Sequence, residues 1–270
     1  MGCDRIALGS ENFGGRECLV TSRLRRVWPS LEKKSNKMLH FLKRLLQYLN
    51  RHCARRTIFV LGDSHALVFN HDLFRLAFPF SRFEVCSVGG ATASGLENPN
   101  SKTQAQETFA RALQAAPKNS TVLLLLGEVD TGFVIWYRAK KYALSVDEMM
   151  SQAVENYLRL IMTVKERHRP IVISTPLPTI TDGSAFGDVA NQRKEISATQ
   201  HERTELTTRF NSAIQSRCNS LGIPCLNFDK DSIGADGIVR PTLLNSDARN
   251  HHYKPLAHAR LLLPKLRKVL

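Results

Sequence analysis

Residues 57–69 read TIFVLGDSHALVF. The run Thr57–Leu61 is apolar or β-branched without polar alternation, the texture of a short strand covered on both faces. Gly62-Asp63-Ser64-His65 ends it, and a second apolar stretch follows, so a serine stands at a strand-to-helix turn. Four more such runs lie downstream: Phe83–Val88, Thr121–Leu126, Ile171–Thr175 and Ile223–Phe228. Helical spacing fills the intervals. Phe109, Leu113 and Ala116 share one side of residues 102–116. Met149, Ala153, Tyr157, Ile161 and Val164 share one side of 145–166. Leu206, Phe210, Ile214, Cys218 and Leu221 do so in 203–221, and Pro255–Leu270 is a last amphipathic stretch. Five strands alternating with helices predict a doubly wound α/β domain with a parallel sheet. The connection Pro176–Arg193, rich in Pro, Gly and Asp, is predicted as a loop on the rim where such sheets place their sites.

Upstream the texture differs. Residues 1–56 hold thirteen Lys/Arg and four Asp/Glu, so they supply +9 of the net charge of +14. We read 1–55 as a basic extension and 56–270 as the folded domain. Residues 1–37 lack periodicity, whereas MLHFLKRLLQYLN (38–50) places Met38, Phe41, Leu42, Leu45, Leu46 and Leu49 at helical spacing. This helix is expected to dock on the domain or a partner, with peripheral contact to an anionic membrane surface as the alternative. No zinc-finger or RNP-like aromatic motif accompanies the charge, so specific nucleic-acid binding is not expected.

The six cysteines form no CxxC pair, which argues against a cysteine-held metal and for free thiols in a reducing compartment. The start MGCDRIALGS has neither a basic nor an apolar secretory region, and Ile6 breaks the myristoylation pattern. A cytoplasmic location is the resulting default. Val122–Leu126 is far too short to span a bilayer.

Polar and glycine residues collect at the predicted carboxyl ends of the strands: Gly62-Asp63-Ser64-His65, then Gly89-Gly90, then Gly127-Glu128-Val129-Asp130. Near the carboxyl terminus stands Asp247-Ala-Arg-Asn-His251-His252-Tyr253. Each is a weak signal alone; their order at successive strand ends is the stronger one. A serine at a helix start is close to free N–H groups that favour negative charge. A glycine at the next strand end brings its own N–H to an oxyanion unobstructed. A histidine from the far end of the chain then suffices to take the serine proton.

IFVLGDSHALVF resembles block I of the SGNH/GDSL hydrolases, whose serine is the nucleophile. SVGG resembles their second block, LLLLGEVD the third (Gly-x-Asn-Asp), and NHHYKP the last (Asp-x-x-His). The resemblance covers about residues 56–270. It implies a flavodoxin-like, three-layer α/β/α fold and ester hydrolysis without metal or cofactor. The GDSH and GEVD variants, with Trp136-Tyr137-Arg138, are most similar to bacterial members associated with polysaccharides. Two positions depart from the pattern. Val129 stands where the third block supplies an oxyanion-binding Asn; Asn98 or Asn100 is the candidate replacement. Neither histidine has an Asp three residues before it: Arg249 precedes His252 and Ala248 precedes His251.

The expected roles are Ser64 as nucleophile and His252 as general base, with His251 the alternative and Asp247 the orienting acid. Ser64, Gly89, Gly90 and Asn98 are the candidate oxyanion donors. Asp63, Glu128, Asp130 and Arg138 are candidate contacts to a glycan ester, with a structural role, tying loops to Arg or backbone N–H groups, as the competing reading of Glu128 and Asp130. Two other functions share the fold: a binding protein that has lost turnover, and an acyltransferase using the same serine.

Overall fold

The computed structural model describes residues 41, 55–183, 196–247 and 250–270. The chain divides into two compact units, Met1–Gln47 and Tyr48–Leu270. Of the helix predicted over 38–50 only Phe41 is described, helical and exposed; the rest of it and the leader lie outside the described residues. Among the described residues no helix is long and apolar enough to cross a membrane.

The second unit carries five strands, β1 (Arg56–Gly62), β2 (Ser81–Ser87), β3 (Thr121–Leu125), β4 (Arg169–Ile173) and β5 (Cys225–Leu226), in the order β2-β1-β3-β4-β5. Every pairing is parallel. Six α-helices of six or more residues accompany them among the described residues: α1 (Asp72–Ala77), α2 (Ala105–Ala115), α3 (Ile135–Tyr142), α4 (Val146–Arg167), α5 (Gln200–Ser220) and α6 (Pro255–Val269). The side-chain alternation of the strands sorts the core into two layers. Phe59, Leu61, Val122, Leu124 and Val172 pack against Phe109 of α2, Tyr157 and Ile161 of α4, and Phe210 and Ile214 of α5. Their neighbours Ile58, Val60, Leu123, Leu125, Ile171 and Ile173 pack against Phe69, Phe74, Leu262 and Leu266 on the other face. With apolar residues on both faces, the central strands have no polar positions to alternate with. This is the doubly wound, flavodoxin-like α/β/α fold, in which β1 and β3 flank the switch point where strand order reverses.

The register decides what meets at that point. Gly62 pairs with Ser87 of β2 and Leu125 of β3. The residues that follow each of these therefore emerge side by side. A side chain at 62 is impossible: a Cβ there would lie 2.1 Å from the Leu125 carbonyl oxygen. Gly127 has φ +128, and a Cβ there would meet Thr175 Oγ1 at 2.5 Å. Only glycine tolerates that backbone and that approach.

Two long helices begin with a capping box. Ser145 and Glu148 close the start of α4, and Thr199 and Glu202 close that of α5. The latter sets the first turn three residues before the predicted 203. Residues 184–193 of the predicted loop lie outside the described residues. The helix α3 was not predicted from periodicity; it follows a π-helical turn, Asp130–Val134, and Trp136 Nε1 donates to the Thr131 carbonyl across that turn at 2.8 Å.

Candidate active site

Ser64 opens a 3-10 helix, Ser64–Asn70, directly after β1. Asp63 caps it: its Oδ1 accepts from His65 N at 2.8 Å and lies 3.0 Å from His65 Nδ1. Asp63 is 1% exposed and His65 3%. The Asp63 carboxylate therefore faces inward and fixes the turn, not a substrate, which corrects its expected contact with a glycan.

His252 comes from the other end of the chain. Its Nε2 lies 2.8 Å from Ser64 Oγ, and its Nδ1 lies 2.8 Å from Asn250 Oδ1. The same Asn250 oxygen accepts from His252 N at 3.0 Å. That second bond settles the amide orientation, because a terminal NH2 turned toward a backbone N–H would oppose two donors. With Oδ1 as acceptor, Nδ1 carries the proton and Nε2 presents a lone pair to the serine hydroxyl. The tautomer a general base needs is thus set by a neutral amide. Asp247, expected to orient the imidazole, offers its backbone carbonyl to Asn250 N at 3.0 Å and so braces the turn that carries Asn250. His251 does not take the position facing Ser64; its carbonyl accepts from Thr179 Oγ1 at 2.7 Å and its ring lies 4.1 Å from that of His252.

What holds this segment is Tyr253. It is buried with Leu177, Val239 and Leu243, and its hydroxyl accepts from Leu177 N at 2.8 Å. Burial pushes its phenol up. A buried tyrosine next to His252 thus ties the histidine segment to the start of the loop after β4.

Gly89 and Gly90 form the exposed turn after β2, closed by Ala91 N donating to the Val88 carbonyl at 3.1 Å. The segment that continues from them is clasped from β3. Asp130, fully buried, accepts from Ala93 N at 2.7 Å and Ser94 N at 2.8 Å. Arg138 Nη1 donates to the Ser94 carbonyl at 3.1 Å. Burial raises the Asp130 carboxyl to about 6, against the hydrogen bonds from Ser94 and Ala93 that hold it down; the Asp63 charge adds to the rise. Glu128 is 1% exposed. All three rim carboxylates are thus buried, and Asp130 and Arg138 hold the Ala93-Ser94 stretch that follows Gly89-Gly90. Asn98 lies exposed in the following turn, where its Oδ1 accepts from Asn100 N at 3.0 Å. That bond turns its side chain to a local task. Val129 is half-buried at the head of the π-helical turn.

A recess of about 250 Å³ opens beside the serine, lined by residues including Ser64, Leu67, Val68, His71, Asn245 and His252, with His258 beneath. His258 is 4% exposed and packs edge-on to Tyr253 at 5.1 Å. Burial, and then the charges of His65 and His252, lower its imidazole to about 3 from 6.5. The sign follows from proton counting. Between pH 6.5 and 3 the unfolded chain binds a proton at this residue that the folded chain does not, so stability present above pH 6.5 is lost as pH falls. Asp130 works oppositely between 3.8 and about 6, since there the folded state holds the extra proton. Comparison with a variant isolates the histidine. His258→Gln should lose less stability than wild type on going from pH 7 to pH 4, by about 3 kcal/mol at 1.36 kcal/mol per unit. Chemical denaturation at several pH values measures this; parallel profiles would refute it.

No protein-family model matches this chain, and no curated protein matches it. Solved structures do. A GDSL-like lipase from Bacteroides thetaiotaomicron aligns over 80% of this chain and 89% of its own, at 13% identity and a TM-score of 0.52. The extracellular lipase from Streptomyces rimosus aligns over 80% of this chain and 100% of its own, at 12% identity and a TM-score of 0.51. At such identities the likeness is one of fold. The described domain has the fold of the GDSL/SGNH hydrolases, and Ser64 opens its first strand-to-helix turn.

Proposed function

We propose that this protein is a serine ester hydrolase that removes a short acyl group from a hydroxyl-rich alcohol, an O-acylated carbohydrate being the first candidate. The observation that carries the reading is the 2.8 Å approach of His252 Nε2 to Ser64 Oγ, made across 188 residues of sequence. In the reaction Ser64 Oγ attacks the carbonyl carbon while Nε2 takes its proton. The backbone N–H groups of Ser64 and of Gly89 or Gly90 receive the developing oxyanion. The imidazolium then protonates the departing alcohol, leaving acyl-Ser64. His252 next deprotonates water, which releases the carboxylic acid and the free serine.

The size of the recess supports a small acyl group: about 250 Å³ falls below the roughly 300–1,000 Å³ usual for ligand pockets. Asn245 and His71 on its wall are suited to hydroxyl groups, whereas Leu67 and Val68 suit an acyl methyl. A fluorophosphonate should label Ser64 covalently and with one-to-one stoichiometry. Failure of the folded protein to label would reject the hydrolase and leave a binding protein. Release of acyl groups to a sugar acceptor faster than to water would make it a transferase.

The neutral orienting group gives this reading a distinctive consequence. Asn250 fixes the tautomer but adds no negative charge to the imidazolium formed in the transition state. Asn250→Asp should add one, since hydrogen bonds with an ionised partner are about twice as strong. We expect kcat/KM for an aryl acetate to rise about tenfold, or about 1.4 kcal/mol. An equal or lower rate in the folded variant would show that Asn250 does not orient the base.

A further inference from the structure

Hydrolysis uses one of three histidines that converge on the same spot. His65, His251 and His252 each place a ring nitrogen within 4.8 Å of the others. The rings of His65 and His252 lie 4.5 Å apart, and those of His65 and His251 5.6 Å apart in an edge arrangement. We propose that these three imidazoles form a binding site for a borderline divalent cation, zinc above all, and that its occupation withdraws His252 from Ser64.

The local chemistry favours ligation over mere crowding. His65 Nδ1 faces Asp63 Oδ1 at 3.0 Å, with both groups buried. A carboxylate on one ring nitrogen fixes the tautomer, turns Nε2 into the ligand atom and raises its basicity, the support that metal-ligating histidines have. Asn250 likewise fixes the tautomer of His252, leaving Nε2 as its ligand atom. That is the atom now 2.8 Å from Ser64 Oγ, so cation and serine compete for one lone pair. Tetrahedral zinc with Zn–N of about 2.0–2.1 Å needs nitrogens about 3.3 Å apart. Closing from within 4.8 Å takes side-chain movements of about an ångström. His251 and His252 are half-buried on a loop, whereas His65 is locked in the turn after β1. The movement thus falls to the loop and pulls Nε2 off the hydroxyl. An all-imidazole set suits zinc, copper or nickel and disfavours magnesium or calcium, which take oxygen. The cysteine count, from which no metal was expected, does not bear on a site made by histidines from opposite ends of the domain.

Cation binding stands on the geometry alone; the competition rests on the ester hydrolase reading. Two measurements on the full chain separate them. Calorimetric titration with zinc chloride at pH 7.5 should show one site in wild type. His251→Gln should weaken it at least tenfold, because disturbing even an outer-shell partner costs about 10–100-fold. His65→Gln should do the same. Should that buried variant fail to fold, His251→Gln on the loop carries the test. Magnesium chloride should give no binding. Absence of zinc binding, equal affinity in folded His251→Gln, or equal binding of magnesium overturns the site. In the second measurement, saturating zinc should slow fluorophosphonate labelling of wild-type Ser64 at least tenfold. Labelling unaffected by zinc at an occupied site overturns the competition. A wild-type protein that never labels without zinc refutes the hydrolase instead, and the calorimetry still decides the site.

Discussion

Ser64→Ala should remove ester hydrolysis, by at least about 10⁴-fold in kcat, and leave the thermal midpoint within a few degrees of wild type. The two halves of that expectation have separate causes. The hydroxyl is the only atom lost, and it is the atom 2.8 Å from His252 Nε2. Without it no acyl-enzyme forms, and what remains is whatever acceleration the N–H groups of the turn and the recess give to attack by water. Triads stripped of their nucleophile keep a residue of this kind, which is why the expected loss is large but finite. Stability is a different matter. Ser64 is half-buried at the mouth of the recess, and the turn it opens is held by the Asp63 side chain on His65 N and by the Ser87 hydroxyl on the Asp63 carbonyl. Neither bond involves the serine side chain. Circular dichroism and thermal melting of both proteins, beside initial rates on an aryl acetate, measure the two halves. A folded variant keeping a tenth of the wild-type rate would end the nucleophile assignment.

The placement of Ser64 was legible because its strand is buried on both faces. Thr57–Leu61 and Thr121–Leu126 are apolar for a structural reason, the double layer of helices, and their ends fix where Gly62 and Gly127 stand. The fifth strand was less so. Ile223–Phe228 is apolar enough for six strand residues, yet only Cys225 and Leu226 join the ladder, since this edge strand has β4 as its sole neighbour. The start of α5 was hidden in polar residues, where the cap Thr199 and its partner Glu202 decide the first turn. At the site, the sequence left the orientation of Asp63, Glu128 and Asp130 open between structure and substrate. A carboxylate after a strand reads the same whether it meets a backbone N–H or solvent. Asn250 was missed for another reason. An orienting group sought three residues before the histidine leads to Arg249, whereas the loop uses a spacing of two. The signal was present: Asp63-Ser64-His65 and Asn250-His251-His252 both place an Asx residue two before a histidine. In both, one side-chain oxygen meets the backbone N–H and the Nδ1 of that histidine.

That spacing also bears on which histidine does the work. His252→Ala should lower kcat about 10²–10⁴-fold, the usual contribution of a general base. His251→Ala should lower it less than tenfold. The two residues are adjacent and equally half-buried, so position along the chain does not separate them. The Asx turn does. Asn250 Oδ1 takes both the N–H and the Nδ1 of His252, which aims that ring at the serine; His251 is held through its carbonyl by Thr179 Oγ1. Tyr253 then pins the next residue through Leu177 N, so His252 is held from both sides. Removing His252 leaves Ser64 with no acceptor for its proton, and because proton transfer is then left to water, the loss should shrink at high pH. His251→Ala should show no such pH dependence, its small loss coming from a loosened loop. Exogenous imidazole offers a further discriminator: it should restore part of the activity of His252→Ala and none to His251→Ala. A larger loss at 251 than at 252, or imidazole rescue of the 251 variant alone, would move the base to His251 and make the contact between His252 and Ser64 incidental to turnover.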